Sequence, residues 1–127
     1  MLANFPAYPI LVASDLARAK DFYQDKLGLK VMPGPDGVVM FEAGDDSIIV
    51  LYEKEGGPKA TNTVLGFNVK QLEEVLAGLK AKGVTQDMRD LPAGAGEDGI
   101  VRYGPIKSAW INDSEGNIIG LNEVPDA

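Results

Sequence analysis

One plan that occurs twice constrains this chain more than any other feature. Tyr8 to Leu29 opens with an apolar run, stops at Ser14-Asp15, continues as a helix-length segment and closes on Gly28. Val64 to Val84 opens in the same way, carries a second helix-length segment and closes on Gly83. Leu16, Ala19, Tyr23 and Leu27 recur at the spacing of one helical face, as do Leu72, Val75, Leu76 and Leu79. The hydroxyl of Ser14 is placed to cap the first helix, and Asp15 suits its positive end. A glycine after each helix favours a left-handed stop. Leu11 to Leu16 aligns with Phe67 to Leu72 by order and polarity more than by identity.

The segments around each helix read as strands. In the first half these are Tyr8–Ala13, Leu29–Met32, Val38–Ala43 and Ser47–Tyr52, with turns at Pro33–Gly37 and Gly44–Asp46. Pro9 lacks an N–H and suits a strand start or edge. The charged, Gly/Pro-bearing stretch Glu53–Lys59 links the halves. In the second half the strands are Thr63–Val69, Val84–Arg89, Val101–Ile111 with a break at Gly104-Pro105, and Asn117–Val124. Pro92–Gly99 reads as a mobile loop or lid, or as a plain surface loop. The expectation is an α+β fold: one domain over 1–127, made of two βαβββ modules at about 5–56 and 60–125. Each helix covers one sheet face and leaves the other for the partner half, a ligand or a second chain.

Composition narrows the chemistry. The chain has 127 residues and 45% hydrophobic residues, enough for a core without covalent staples. It has no cysteine, which removes disulfides, thiolate metal sites and thiol nucleophiles. It has no histidine, which removes the commonest transition-metal ligand and general base. Twelve basic against nineteen acidic residues give a net charge of −7, which repels phosphate backbones, so no nucleic-acid partner is expected. No apolar run is long enough to span a membrane, and no basic region precedes the first apolar stretch. A cytoplasmic location is expected.

Two stretches together resemble a known family. Val12-x-Ser14-Asp15-Leu16-x-x-Ala19-x-x-Phe22-Tyr23-x-x-x-Leu27-Gly28 is similar to the N-terminal signature of the glyoxalase/bleomycin-resistance/extradiol-dioxygenase (vicinal oxygen chelate, VOC) superfamily. Asp113-x-x-Gly116-Asn117-Ile118-Ile119 is similar to its C-terminal signature. The resemblance spans almost the whole chain and implies two βαβββ modules that form a cupped mixed sheet. It also implies a metal site in metal-dependent members, whose four ligand positions fall here on Tyr8, Val50, Val64 and Gly120. None of these is a usual divalent ligand, and their sequence neighbours supply no histidine or carboxylate. Members without the metal resemble bleomycin-resistance proteins, which bind a ligand rather than transform it.

Alternation then selects candidate lining residues. Tyr8, Ile10 and Val12 share a face, as do Ile48, Val50 and Tyr52, Val64, Gly66 and Asn68, and Gly120 and Asn122. With Trp110, the only tryptophan and on the penultimate strand, the ligand-binding set is Tyr8, Val50, Tyr52, Val64, Asn68, Trp110 and Asn122, with no metal and no cofactor. These residues either line a pocket or close a filled core, and Trp110 either stacks on a ligand or is structural. Arg102 and Tyr103 reach over a pocket or begin a solvated strand. Glu123 is assigned to the surface, and Asp113 and Asn117 to the shaping of a turn. The sequence favours a homodimeric, metal-free protein that captures a partly apolar or cationic small molecule. Two rivals stand beside it. One is a lyase- or dioxygenase-like enzyme using Tyr8, Glu123, Glu97 or Asp98. The other is a closed cup with a structural or interaction role.

Overall fold

The computed structural model describes residues 1–125. The chain forms two compact units, Met1–Lys59 and a second from Ala60 onward. Each is a βαβββ unit with its own four-stranded sheet.

In the first unit the strands are β1 (Ile10–Ala13), β2 (Lys30–Met32), β3 (Val38–Glu42) and β4 (Ile48–Glu53), in the order β1-β4-β3-β2. β1 and β4 are parallel and the other pairs antiparallel. β1 begins two residues later than alternation predicts. Helix α1 (Leu16–Asp21) continues as a wider π turn over Phe22–Lys26, with Leu27 N–H donating to the Phe22 carbonyl at 3.2 Å. The wider turn brings Phe22 into the core beside the expected Ala19 and Tyr23. Asp15, not Ser14, caps the helix: its carboxylate accepts from Arg18 N–H at 3.0 Å, and Ser14 Oγ accepts from the Arg18 guanidinium. Gly28 sits at φ +75, the left-handed stop. Leu11, Ala13, Phe41, Ile49 and Leu51 face the helix and are buried, and the Tyr23 and Phe41 rings lie 5.4 Å apart. Burying Phe41 and Leu51 stabilises by about 1.5–3 kcal/mol each.

The second unit repeats this order with β5 (Thr63–Val69), α2 (Leu72–Ala81), β6 (Val101–Tyr103), β7 (Ile106–Asn112) and β8 (Ile118–Glu123), arranged β5-β8-β7-β6. Leu72, Ala109, Ile111, Ile119 and Leu121 form its core, joined by Val84 and Ile100. Eight strands are present among the described residues, as expected, but not the same eight. Val84–Arg89 is not a strand. It makes one bridge, Gln86 with Ile111, and stops because Arg89 N–H turns back onto the Asp87 carboxylate at 2.9 Å. The segment 101–111 is two strands, since Gly104 (φ +59) and Pro105 form a two-residue hairpin between Tyr103 and Ile106.

The outer edge of β7 is therefore paired in two pieces. β6 pairs with Ile106–Ser108. Further along, Asp87 N–H donates to the Trp110 carbonyl at 2.7 Å and Asn112 N–H to the Thr85 carbonyl at 2.9 Å. The chain between these pieces leaves the sheet and returns. Pro92–Gly99 is pinned rather than loose. Asp98 accepts from Ile100 N–H and pairs with Arg102 at 3.0 Å, and its carbonyl accepts from Gln86 Nε2 at 2.6 Å.

Candidate ligand site on the second unit

The sheet of the second unit carries α2 on one face. Strand register places three rows of side chains on the other face: Asn112, Ile118 and Thr63; Trp110, Gly120 and Gly66; Ser108, Asn122 and Asn68. A bulge between Thr63 and Leu65 shifts β5, so Thr63 takes the place beside Ile118 that alternation gave to Val64. The indole of Trp110 lies beside Gly120. A β-carbon there would meet Trp110 Nε1 at 3.6 Å and Thr63 Cγ2 at 3.3 Å. Ser108 Oγ donates to Asn122 Oδ1 at 2.6 Å.

A pocket of about 410 Å³ opens at the Trp110 end of this face. It is lined by residues 60–63, 87, 89–92, 110, 116 and 118, all within the second unit. Asp87 is its electrostatic anchor. This carboxylate is only 4% exposed, yet the Arg89 hydrogen bonds hold it below the usual aspartate range against the opposing effect of burial. Arg89 Nε donates to Oδ1 at 3.2 Å and Nη2 to Oδ2 at 2.8 Å, while the Arg89 side chain stays 72% exposed. Its guanidinium is pushed above its ordinary range by the same pairing, with Asp90 adding a smaller push in the same direction. Nη2 also reaches Asn112 Oδ1 at 3.5 Å.

Of the seven residues expected to bind a ligand, Trp110 alone lines this pocket. Asn68 and Asn122 lie on the same face two residues further along, and Val64 sits at the bulge. Val50 and Tyr52 lie on the helix-free face of the first unit beside Ile10 and Val12, and Tyr8 precedes β1, 53% exposed. Asp98 and Arg102 serve the loop they stand in. Glu123, assigned to the surface, is partly buried and accepts from Leu72 N–H at 2.7 Å, capping α2. Glu53 does the same for α1, accepting from Leu16 N–H at 3.3 Å. Asp113 and Asn117 shape the β7–β8 turn. Asp113 Oδ1 accepts from Glu115 and Asn117 N–H at 2.8 Å, and Oδ2 from Asn117 Nδ2 at 2.7 Å. Sequence reasoning missed Asp87, Arg89 and Asp90. The signal was there, as opposite charges two residues apart shortly before Pro92.

The model of the Glyoxalase/Bleomycin resistance protein/Dioxygenase superfamily matches residues 6–121. The chain belongs to this superfamily. No curated protein matches it. Among solved structures, TnmS3, an antibiotic binding protein from a Streptomyces species, aligns at TM-score 0.71 and 22% identity, covering 96% of this chain and 98% of that one. The lactoylglutathione lyase of Agrobacterium tumefaciens aligns at TM-score 0.67 and 19% identity, covering 97% and 96%. The fosfomycin resistance protein FosX of Mesorhizobium loti aligns at TM-score 0.67 and 12% identity, covering 96% and 93%. At these identities the alignments establish the shared VOC fold.

The VOC metal positions do not fit a divalent ion here. Val50 and Gly120 occupy matching rows of β4 and β8, each in its own unit, and neither has a side-chain donor atom. Gly120 is covered by Trp110 and Thr63. Val64 offers only hydrocarbon and Tyr8 a phenol. Among the described residues, no group of three His, Cys, Asp or Glu side chains could hold a metal.

Proposed function

We propose that this VOC protein captures a small, partly apolar or cationic molecule without a metal. The observation that carries the proposal is the pocket beside Trp110. At about 410 Å³ it falls within the range of small-molecule sites. An indole forms one wall, and the charged lining groups, Asp87 and Asp90 against Arg89, sum to −1. That balance, with a chain charge of −7, favours a neutral or cationic guest. The family and the antibiotic binding of TnmS3 point in the same direction. A homodimer and a cytoplasmic location belong to the same proposal, and light scattering on purified protein tests the first.

Trp110 is the only tryptophan, so its fluorescence reports the pocket directly. Titration with a diverse library of aromatic neutrals and cations is expected to give saturable quenching, together with a rise in melting temperature. A flat response in both measurements across the library would overturn the proposal. Stoichiometric manganese, iron, nickel or zinc in the purified protein would favour the enzymatic alternative instead.

A further inference from the structure

We infer that the pocket recognises a flat aromatic ring bearing a neutral carbonyl oxygen, with Trp110 holding the ring, Arg89 donating to the oxygen and Asp87 acting as a positioning residue. This deepens the capture reading and rests on it. An arginine that is 72% exposed would ordinarily sample many rotamers and give little of its hydrogen-bonding energy to a ligand. Arg89 is held instead. Nε and Nη2 are both fixed by a carboxylate that is itself buried, and Asn112 Oδ1 lies near Nη2. The guanidinium plane is therefore set before any ligand arrives. Its remaining nitrogen, Nη1, has no partner among the described residues, and Arg89 lines the pocket that Trp110 also lines.

The electrostatics of the lining decide the ligand's charge. The positive charge of Arg89 is already matched by Asp87, and Asp90 adds a negative charge to the same lining. A carboxylate or phosphate entering there meets no net positive field. A neutral carbonyl needs none, because a hydrogen bond from a charged donor is strong even to an uncharged acceptor. The ring supplies the rest of the affinity through the indole.

The test uses the full chain and two probes of similar size and flatness. Coumarin carries a carbonyl oxygen and naphthalene does not. Isothermal titration calorimetry is expected to show coumarin binding about tenfold more tightly, the effect of one charge-assisted hydrogen bond. Arg89→Gln is expected to remove that preference by weakening coumarin about tenfold more than naphthalene. Asp87→Asn, which keeps Arg89 but loosens it, is expected to reduce the preference by about threefold. Equal affinity for the two probes in the unaltered protein overturns the carbonyl assignment and leaves capture intact. Loss of binding of both probes in Arg89→Gln overturns the role of Arg89, provided the melting temperature is unchanged. If neither probe binds the unaltered protein but other library members do, the carbonyl-ring class is wrong. If nothing binds, the capture reading fails as well.

Discussion

The two units share strand order, helix position and the glutamate that closes the helix, yet differ in how the chain travels from helix to sheet edge. In the first unit residues 27–29 make that passage. In the second, residues 82–100 do. The separation between capping glutamate and helix start records the insertion: Glu53 and Leu16 are 37 residues apart, Glu123 and Leu72 are 51 apart, so the second unit carries 14 more residues between them. The extra chain is accommodated because the β7 backbone finds partners in two separate pieces, so few backbone groups are left unpaired. The residues that leave the sheet become the pocket wall. The helix-free faces diverge too. Where the first unit sets Met40, Val50 and Ile10 in a row, the second sets Trp110, Gly120 and Gly66. Three medium side chains give way to one large ring over two glycines. Candidate function thus lies where the two copies differ.

The β-hairpin before the last strand of each unit offers the sharpest break. In the second unit the Asp113 carboxylate is buried and ties three N–H donors. In the first, the corresponding turn depends on Ser47 Oγ donating to the Gly44 carbonyl at the surface, 2.7 Å away. Asp113→Ala is expected to cost about 2–4 kcal/mol in urea denaturation, since it leaves buried donors unsatisfied. Ser47→Ala is expected to cost about 0.5 kcal/mol. Similar losses would mean that the two turns are equivalent and that burial decides nothing here.

The helix caps come next. Glu123 accepts at 2.7 Å and is partly buried, and Gln71, at φ +56, gives α2 no side-chain cap of its own. Glu53 accepts at 3.3 Å in an exposed setting, and Asp15 already caps α1. Glu123→Ala should lower stability by about 1–2 kcal/mol and Glu53→Ala by a few tenths, measured by the same denaturation. An equal loss from both would show that Asp15 contributes no redundancy.

The repeat was legible because it is written in helix spacing and terminal glycines, which are local signals. The α+β class followed from it, whereas the superfamily was suggested by the resemblance of two stretches, around Ser14-Asp15 and Asp113–Ile119, to its signatures. The capping glutamates were not legible, because each acts across 37 or 51 residues and nothing near Glu123 marks it. The pocket was hidden for a different reason. Val84–Arg89 has the apolar start of a strand, and only the Asp87 side chain competing for Arg89 N–H ends it. Trp110 stood out only as the single tryptophan, on the penultimate strand. Val64 was placed on the ligand face because a bulge cannot be read from alternation.

The Asp87–Arg89 pair, which has no counterpart in the short passage of the first unit, gives a pH signature. The Asp87 pKa is depressed by Arg89, so its contribution is fully present above the unfolded aspartate value of about 3.9 and is lost as pH falls through the lower folded value. Asp87→Asn should therefore be less stable than the unaltered protein by about 1 kcal/mol at pH 6, with the gap narrowing below about pH 4. Urea midpoints at pH 6 and pH 3 provide the measurement. A gap that persists unchanged at pH 3 would mean that the carboxylate's charge is not what holds Arg89.

The smallest expected effect is the most direct probe of the contrast between the helix-free faces. Gly66 matches Ile10 of the first unit in register, but a β-carbon added to Gly66 would meet only Asn122 Nδ2 at 3.8 Å and the Gly120 carbonyl at 4.0 Å, both ordinary contacts. Its backbone is not left-handed, so alanine fits without strain. Gly66→Ala should therefore be neutral or stabilising by up to about 1 kcal/mol, mainly by restricting the unfolded chain. Gly120→Ala is the control, because there the added methyl comes within 3.3 Å of Thr63 Cγ2, which must give way. If Gly66→Ala instead destabilises as much as Gly120→Ala, the space above Gly66 is already packed. The second unit's helix-free face would then be packed beside Gly66, and the difference between the copies would reduce to the pocket wall alone.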